Sequence, residues 1–274
     1  MNSLKFATLN IAGLSDPLKR VTLKNFLTGA RIDVACLQEV SFNSCPLIEN
    51  DFKFIVNIGP RKRGTAVLLR KDLQTKNVCF EPDGRLTSVD LGHCTVICVY
   101  APAGTRLKSE REDFFHEVLP AYLANSKNPA ILMGDFNCVE NDNDRKLHQP
   151  GSRQRTAVSS TLKNVISSLA LVDVWKYLKP NDSGFTFHCQ TCSTRLDRIY
   201  CDKSILGKFS NIETQPFVTG DHQPVIASFL PGTNVDRPRR EPGVWKFNTS
   251  ILLDETFIAE MKNVIEKLAE EPLR

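Results

Sequence analysis

Eight polar side chains sit at or near the ends of apolar runs: Asn10, Glu39, Tyr100, Asp135, Asn137, Asp197, Asp221 and His222. Each alone is an ordinary capping or turn residue. Together they supply four acids, two amides and one His, a set that turns alone do not explain. Strand ends that share one sheet edge form a natural site. Carboxylates and carboxamides are hard oxygen donors, which favour Mg²⁺, with Mn²⁺ as a substitute, over Zn²⁺. Glu39 is the first choice for the metal ligand. His222 can take a proton from water or stabilise phosphate charge, with Asp197 as a candidate partner that fixes its tautomer. No Ser or Cys nucleophile stands out, so direct attack of water on phosphorus is the economical chemistry. In "ILMGDFN" (131–137), Asp135 and Asn137 share one face if the chain is extended, although Gly, Asp and Asn also suit a turn.

These residues need strands to present them. Runs such as "LKFATLNI", "IDVACLQEV", "GTAVLLR", "CTVICVYAP", "AILMGDFN", "RLDRIYC" and "QPVIASFL" have strand length, β-branched content and turn-forming flanks. Helical spacing appears over 17–31, 108–124 and 156–171, the first opened by Asp16–Pro17. The pattern predicts an α/β (α+β) domain over 1–230, a two-sheet β-sandwich flanked by helices. A Pro/Gly-rich, charged segment over 231–248 reads as a linker, and 249–274 as an amphipathic helix.

The bulk numbers agree with such a domain. Of 274 residues, 41% are hydrophobic, enough for a sizeable core. Net charge is +4 overall and +5 on residues 1–230, which suits a polyanionic partner without demanding one. No membrane span is indicated. The N-terminus lacks the apolar core of a signal peptide. With nine cysteines, an odd number, the chain reads as a reduced intracellular protein, nuclear or cytoplasmic. One CxxC, Cys189 and Cys192, is too little for a zinc site.

Six motifs in order, "TLNIAGL", "CLQEV", "VYAP", "GDFN", "RLDRIY" and "GDHQPV", resemble the endonuclease/exonuclease/phosphatase superfamily. That superfamily includes apurinic/apyrimidinic endonucleases and deoxyribonuclease I. The resemblance implies a deoxyribonuclease-I-like sandwich and a Mg²⁺-dependent phosphoesterase. It implies that Glu39 and Asn10 lie at the metal, with Asp221 nearby, and that Tyr100 contacts the scissile phosphate. Asp135 would orient or deprotonate the attacking water, Asn137 position the phosphate, and Asp197 hold His222 against it. "TLNIAGL", the "GFTFHC…TRLDRIY" spacing and "PGVWKFNTSIL" resemble the endonuclease of non-LTR (long interspersed) retrotransposons. There such a segment precedes a reverse transcriptase, and the expectation is an N-terminal fragment of a polyprotein. Such enzymes nick one strand of double-stranded DNA, and the freed 3′-hydroxyl primes reverse transcription.

Two positions depart from the family pattern. Ala12 replaces an acid near the metal, and Gly220 replaces a Ser or Thr before the Asp–His pair. Thr186 matches a position this branch places near DNA, and equally suits a strand interior. Basic loops at Arg61, Lys62 and Arg63, at Arg145 and Lys146, and at Arg153 and Arg155 suit a DNA backbone, or are solvated loops. By analogy "HCQTCST" (188–194) is a hairpin that enters a groove and sets nicking preference. An inositol-type or other small-molecule phosphatase and a decayed DNA-binding module are the alternative readings.

Overall fold

The computed structural model describes residues 3–148, 156–217 and 220–231, together with Ala259. The expected linker and terminal helix lie almost wholly outside them, as do Arg153 and Arg155. The chain divides into two compact units, Met1–Val235 and Asp236–Arg274.

Fifteen strands follow in order. They are β1 (Leu4–Asn10), β2 (Val34–Val40), β3 (Phe52–Ile58), β4 (Gly64–Arg70), β5 (Asn77–Phe80), β6 (Leu86–Asp90), β7 (Thr95–Tyr100) and β8 (Ala130–Asp135). Then come β9 (Arg145–Leu147), β10 (Leu171–Asp173), β11 (Phe187–His188), β12 (Cys192–Thr194), β13 (Asp197–Asp202), β14 (Phe209–Thr214) and β15 (Val225–Phe229). One sheet runs β14-β15-β1-β2-β4-β3 and the other β10-β13-β8-β7-β6-β5. Each is mixed: β1–β2 and β7–β8 are parallel and the remaining pairs antiparallel. A small third sheet, β11-β12-β9, stands apart.

Both faces of each large sheet are buried, which is why their strands read as continuous apolar runs. Alternate residues divide between two layers. Phe6, Cys36, Val67, Cys98, Met133 and Ile199 meet between the sheets. Ala7, Leu9, Ala35 and Leu37 turn outward onto Leu23 and Leu27 of helix α1 (Pro17–Gly29). On the far side, Ile97, Val99 and Leu132 pack against Phe115, Leu119 and Leu162. The result is a helix–sheet–sheet–helix stack.

Helix α1 starts where Asp16 accepts from Leu18 N–H. The expected helix over 108–124 is present as α2 (Lys108–Asp113), a π turn (Phe114–Val118) and α3 (Leu119–Ala124). Pro120 has no N–H for the usual i−4 bond, and its ring crowds the preceding carbonyl, so the turn widens there. The helix expected over 156–171 is shorter, α4 (Ser160–Ser168), because Ser159 caps it through a bond from Leu162 N–H. Val158, read as part of that helix, is 41% exposed and bridges Val139 instead.

Candidate active site

The strand ends converge. β1 brings Asn10, β2 Glu39, β7 Tyr100, β8 Asp135 and β13 Asp197, while His222 sits just before β15. Three hydrogen bonds join them across the two sheets. Asn10 Nδ2 donates to Asp135 Oδ2 at 2.9 Å and to Glu39 Oε1 at 3.2 Å. The first of these crosses between sheets, as do Tyr100 Oη to Glu39 Oε1 at 3.1 Å and His222 Nδ1 to Asp197 Oδ2 at 2.8 Å. Within their own sheet, Asp135 is in register with both Tyr100 and Asp197. A cleft of about 370 Å³ is lined by Asn10, Glu39, Asp135, Asn137, Asp221 and His222, among others. Two roomier depressions elsewhere contain none of these residues.

Local backbone conformations aim the side chains. Glu39 has φ +61°, at a bulge that shifts the β2–β4 register between Gln38 and Val40. A bulge redirects the side chain it carries. Asn137 has φ +50°, and its N–H donates to Asp135 Oδ1 at 2.9 Å. "GDFN" is therefore both a turn and a site. This corrects the picture of an extended pair, because the chain leaves β8 at Asp135 and Asn137 reaches the cleft from the turn, donating to Ala101 O. Gly134 is fixed by close strand approach, since a Cβ there would lie 1.9 Å from Val99 O.

The electrostatics are asymmetric. Burial raises the Asp135 carboxyl above its usual range, and the neighbouring Asp197 charge adds to this. Burial works against protonation of His222, but the charge and hydrogen bond of Asp197, with Asp135 and Asp221, raise it to about 9. The Asp197 charge thus favours the imidazolium form of His222. Asp197 Oδ1 is buried and accepts no hydrogen bond among the described residues. The Tyr100 hydroxyl is raised first by burial and then by Asp135. Its ring lies under the Arg85 guanidinium, 4.9 Å away.

Asp135, Asp197 and His222 offer ligand atoms within 4.8 Å of one another. Asp197 Oδ2 is taken by His222 Nδ1, and an imidazolium offers no lone pair to a cation, so this trio makes a poor hard-metal site. Glu39 is the better holder: it reaches the cleft, and its Oε2 already draws a cation, the Arg63 guanidinium. Glu39, Asn10 and the exposed Asp221 offer the oxygen donors that would suit a divalent ion there.

The remaining expected residues separate. Thr186 is fully buried, and its hydroxyl accepts from Leu196 N and Asp197 N, both at 3.1 Å. This corrects the expected DNA contact: the side chain holds Asp197 in place. Arg145 is committed to Asp142 and to Thr156 O, so its guanidinium is not free for a phosphate. Lys146 is exposed, Arg61 is exposed and paired with Glu110, and Lys62 is exposed at the tip of its loop. Arg111, missed in the sequence, lines the cleft fully buried and donates to Pro102 O and Gly104 O. Its signal is a charge on the same helical stripe as Phe114, Phe115 and Val118.

Residues 7–222 match the Endonuclease/Exonuclease/phosphatase family. The chain belongs to that family. Within it, the chain is 27% identical over 95% of its length to a Transposon TX1 uncharacterized 149 kDa protein of Xenopus laevis. The chain spans only 20% of that relative's length. An exodeoxyribonuclease of Bacillus subtilis is 24% identical over 66% of this chain and 78% of its own. Among solved structures, an AP endonuclease from Archaeoglobus fulgidus superposes with a TM-score of 0.70 at 18% identity, covering 82% of this chain and 99% of its own. A Neisseria 3′ phosphatase bound to product DNA hairpin gives the same TM-score, identity and coverage. These solved structures share the two-sheet sandwich flanked by helices.

Proposed function

We propose that the chain is a Mg²⁺-dependent endonuclease that nicks one strand of double-stranded DNA and leaves a 3′-hydroxyl to prime reverse transcription. The observation that carries the reading is the inter-sheet cluster of Asn10, Glu39, Tyr100, Asp135, Asp197 and His222, in a chain similar over nearly its whole length to a transposon protein. When bound at Glu39, a divalent ion would neutralise charge on the phosphate and its leaving oxygen. Asp135 orients the attacking water and takes its proton, and its raised basicity suits that task. His222, held positive by Asp197, stabilises the negative charge that grows on the non-bridging oxygens. Tyr100 and Asn137 position the phosphate. The neighbouring reverse transcriptase region is the expected partner, and the exposed Arg61, Lys62 and Lys146 contribute to holding the DNA backbone.

The test is supercoiled plasmid with Mg²⁺, beside EDTA and His222→Ala controls. Open circles from the wild type alone, abolished by EDTA, support the reading. Release of inorganic phosphate from small phosphate esters without nicking would replace it with a phosphatase.

A further inference from the structure

The hairpin β11–β12 carries chemistry that the phosphoesterase reading does not use. The chain reverses over Cys189–Thr191, and Cys189, Thr191 and Cys192 form one wall of the cleft. Cys189 N–H donates to Cys192 C=O at 2.9 Å, and the two sulfurs lie 3.1 Å apart. A disulfide needs them only about 1 Å closer. Both thiols are free and partly exposed. Elsewhere Cys36, Cys45, Cys94, Cys98, Cys138 and Cys201 are buried beyond the reach of a solution oxidant, and Cys79, on edge strand β5, is partly exposed.

The two sulfurs are not equivalent. Hydrogen bonding from the Thr191 hydroxyl and from Cys192 brings the Cys189 thiol down to about 7, whereas burial and its neighbour raise Cys192. A thiolate near neutrality makes Cys189 the attacking sulfur and Cys192 the resolving one.

We propose that Cys189 and Cys192 form a reversible thiol–disulfide site whose oxidant is a low-molecular-weight disulfide. Cys189 thiolate attacks one sulfur of the oxidant, forming a mixed disulfide and expelling one thiolate. Cys192 then attacks Cys189 Sγ, closing the intramolecular bond and expelling the second. The protein dithiol loses two electrons and two protons, and the oxidant leaves as two thiols.

The bond lies where it can be felt. His188 N–H donates to Asp221 O at 3.1 Å, and the Phe187 ring lies tilted against His222 with centroids 5.1 Å apart. Closing the tip fixes the hairpin that leans on the Asp221–His222 turn. Resting on the endonuclease reading, the bond therefore controls which DNA sites the cleft accepts.

The experiment equilibrates the full chain with graded ratios of oxidised and reduced glutathione, then blocks free thiols with an alkylating reagent and maps peptides by mass. Expected is near-complete loss of alkylation at 189 and 192 with a peptide lighter by two hydrogens, restored by dithiothreitol. Cys192→Ser should stop at a glutathione adduct on Cys189, and Cys189→Ser should remain reduced. Overturning results are wild-type thiols that stay alkylatable throughout, or a wild-type Cys189 adduct that never resolves. In parallel, nick positions are mapped for both redox states. A disulfide that forms in a chain that never nicks DNA upholds the thiol site and refutes the endonuclease reading.

Discussion

Replacing Asp197 by Asn removes the negative partner of His222 while keeping its size. In the native site His222 sits at about 9 against an ordinary 6.5. That gap corresponds to roughly 3 kcal/mol in favour of the imidazolium. The folded value is raised, so this stability is fully present below about 6.5 and is lost as pH rises through about 9. In Asp197→Asn, burial dominates, and His222 should titrate at or below the ordinary value. The pH-dependent loss of stability between those two values should flatten. Through the lost positive charge, kcat for nicking at neutral pH should fall on the order of 100-fold. Ring-proton NMR of His222 against pH, with denaturant unfolding over the same interval, measures both effects. A midpoint that stays near 9 in the variant would show that Asp135 and Asp221, not Asp197, hold the charge, and the reasoning fails.

Four other perturbations test separate parts. Gly134→Ala drives a Cβ against Val99 O, and should cost roughly 3 kcal/mol or more in thermal or urea unfolding. At Gly220 an added Cβ meets nothing nearer than 3.8 Å, so Gly220→Ser should fold normally; a regained hydroxyl contact to phosphate should raise nicking about fivefold. Arg63→Ala frees Glu39 from its ion pair, and calorimetric Mg²⁺ titration should show affinity about two- to fivefold tighter. Burial raises Asp144 and Glu140, but Arg198 and Lys176, joined by Arg195 at Asp144 and by the Tyr200 hydroxyl at Glu140, outweigh it and hold both carboxyls low. Their stability is present above the ordinary carboxylate range and lost as pH falls through the depressed values, and urea unfolding of Asp144→Asn should show a shallower acid slope.

The main strands are legible in the sequence because both faces of each large sheet are buried, which leaves long apolar runs ending in polar residues. Several edge and connecting strands are not. β5 has exposed Asn77 and Phe80, β9 and β12 are three residues each, and β14 carries Ser210, Asn211 and Glu213. Their pairing comes from neighbours distant in sequence, which periodicity does not encode. Asn10, Glu39, Asp135, Asp197 and His222 are visible as strand-end groups, yet how each is aimed is not. The bulge at Glu39 and the left-handed turn at Asn137 belong to register and backbone conformation. Thr186 is open to two readings in the sequence, a family position near DNA and a strand interior, and burial turns its hydroxyl toward the backbone of Asp197.

The three hydrogen bonds that join the sheets also impose an order on synthesis. Asn10 is made first and His222 last, and β1, which carries Asn10, has β15 as one of its two sheet neighbours. A growing chain can form β1, β2 and most of the second sheet while Asp197 still lacks its imidazolium. Competence therefore arrives in one late step, when the last strand closes beside the first. A nascent or partly opened molecule keeps most of its secondary structure yet lacks the assembled site, so any chemistry of that site is a property of the finished fold alone.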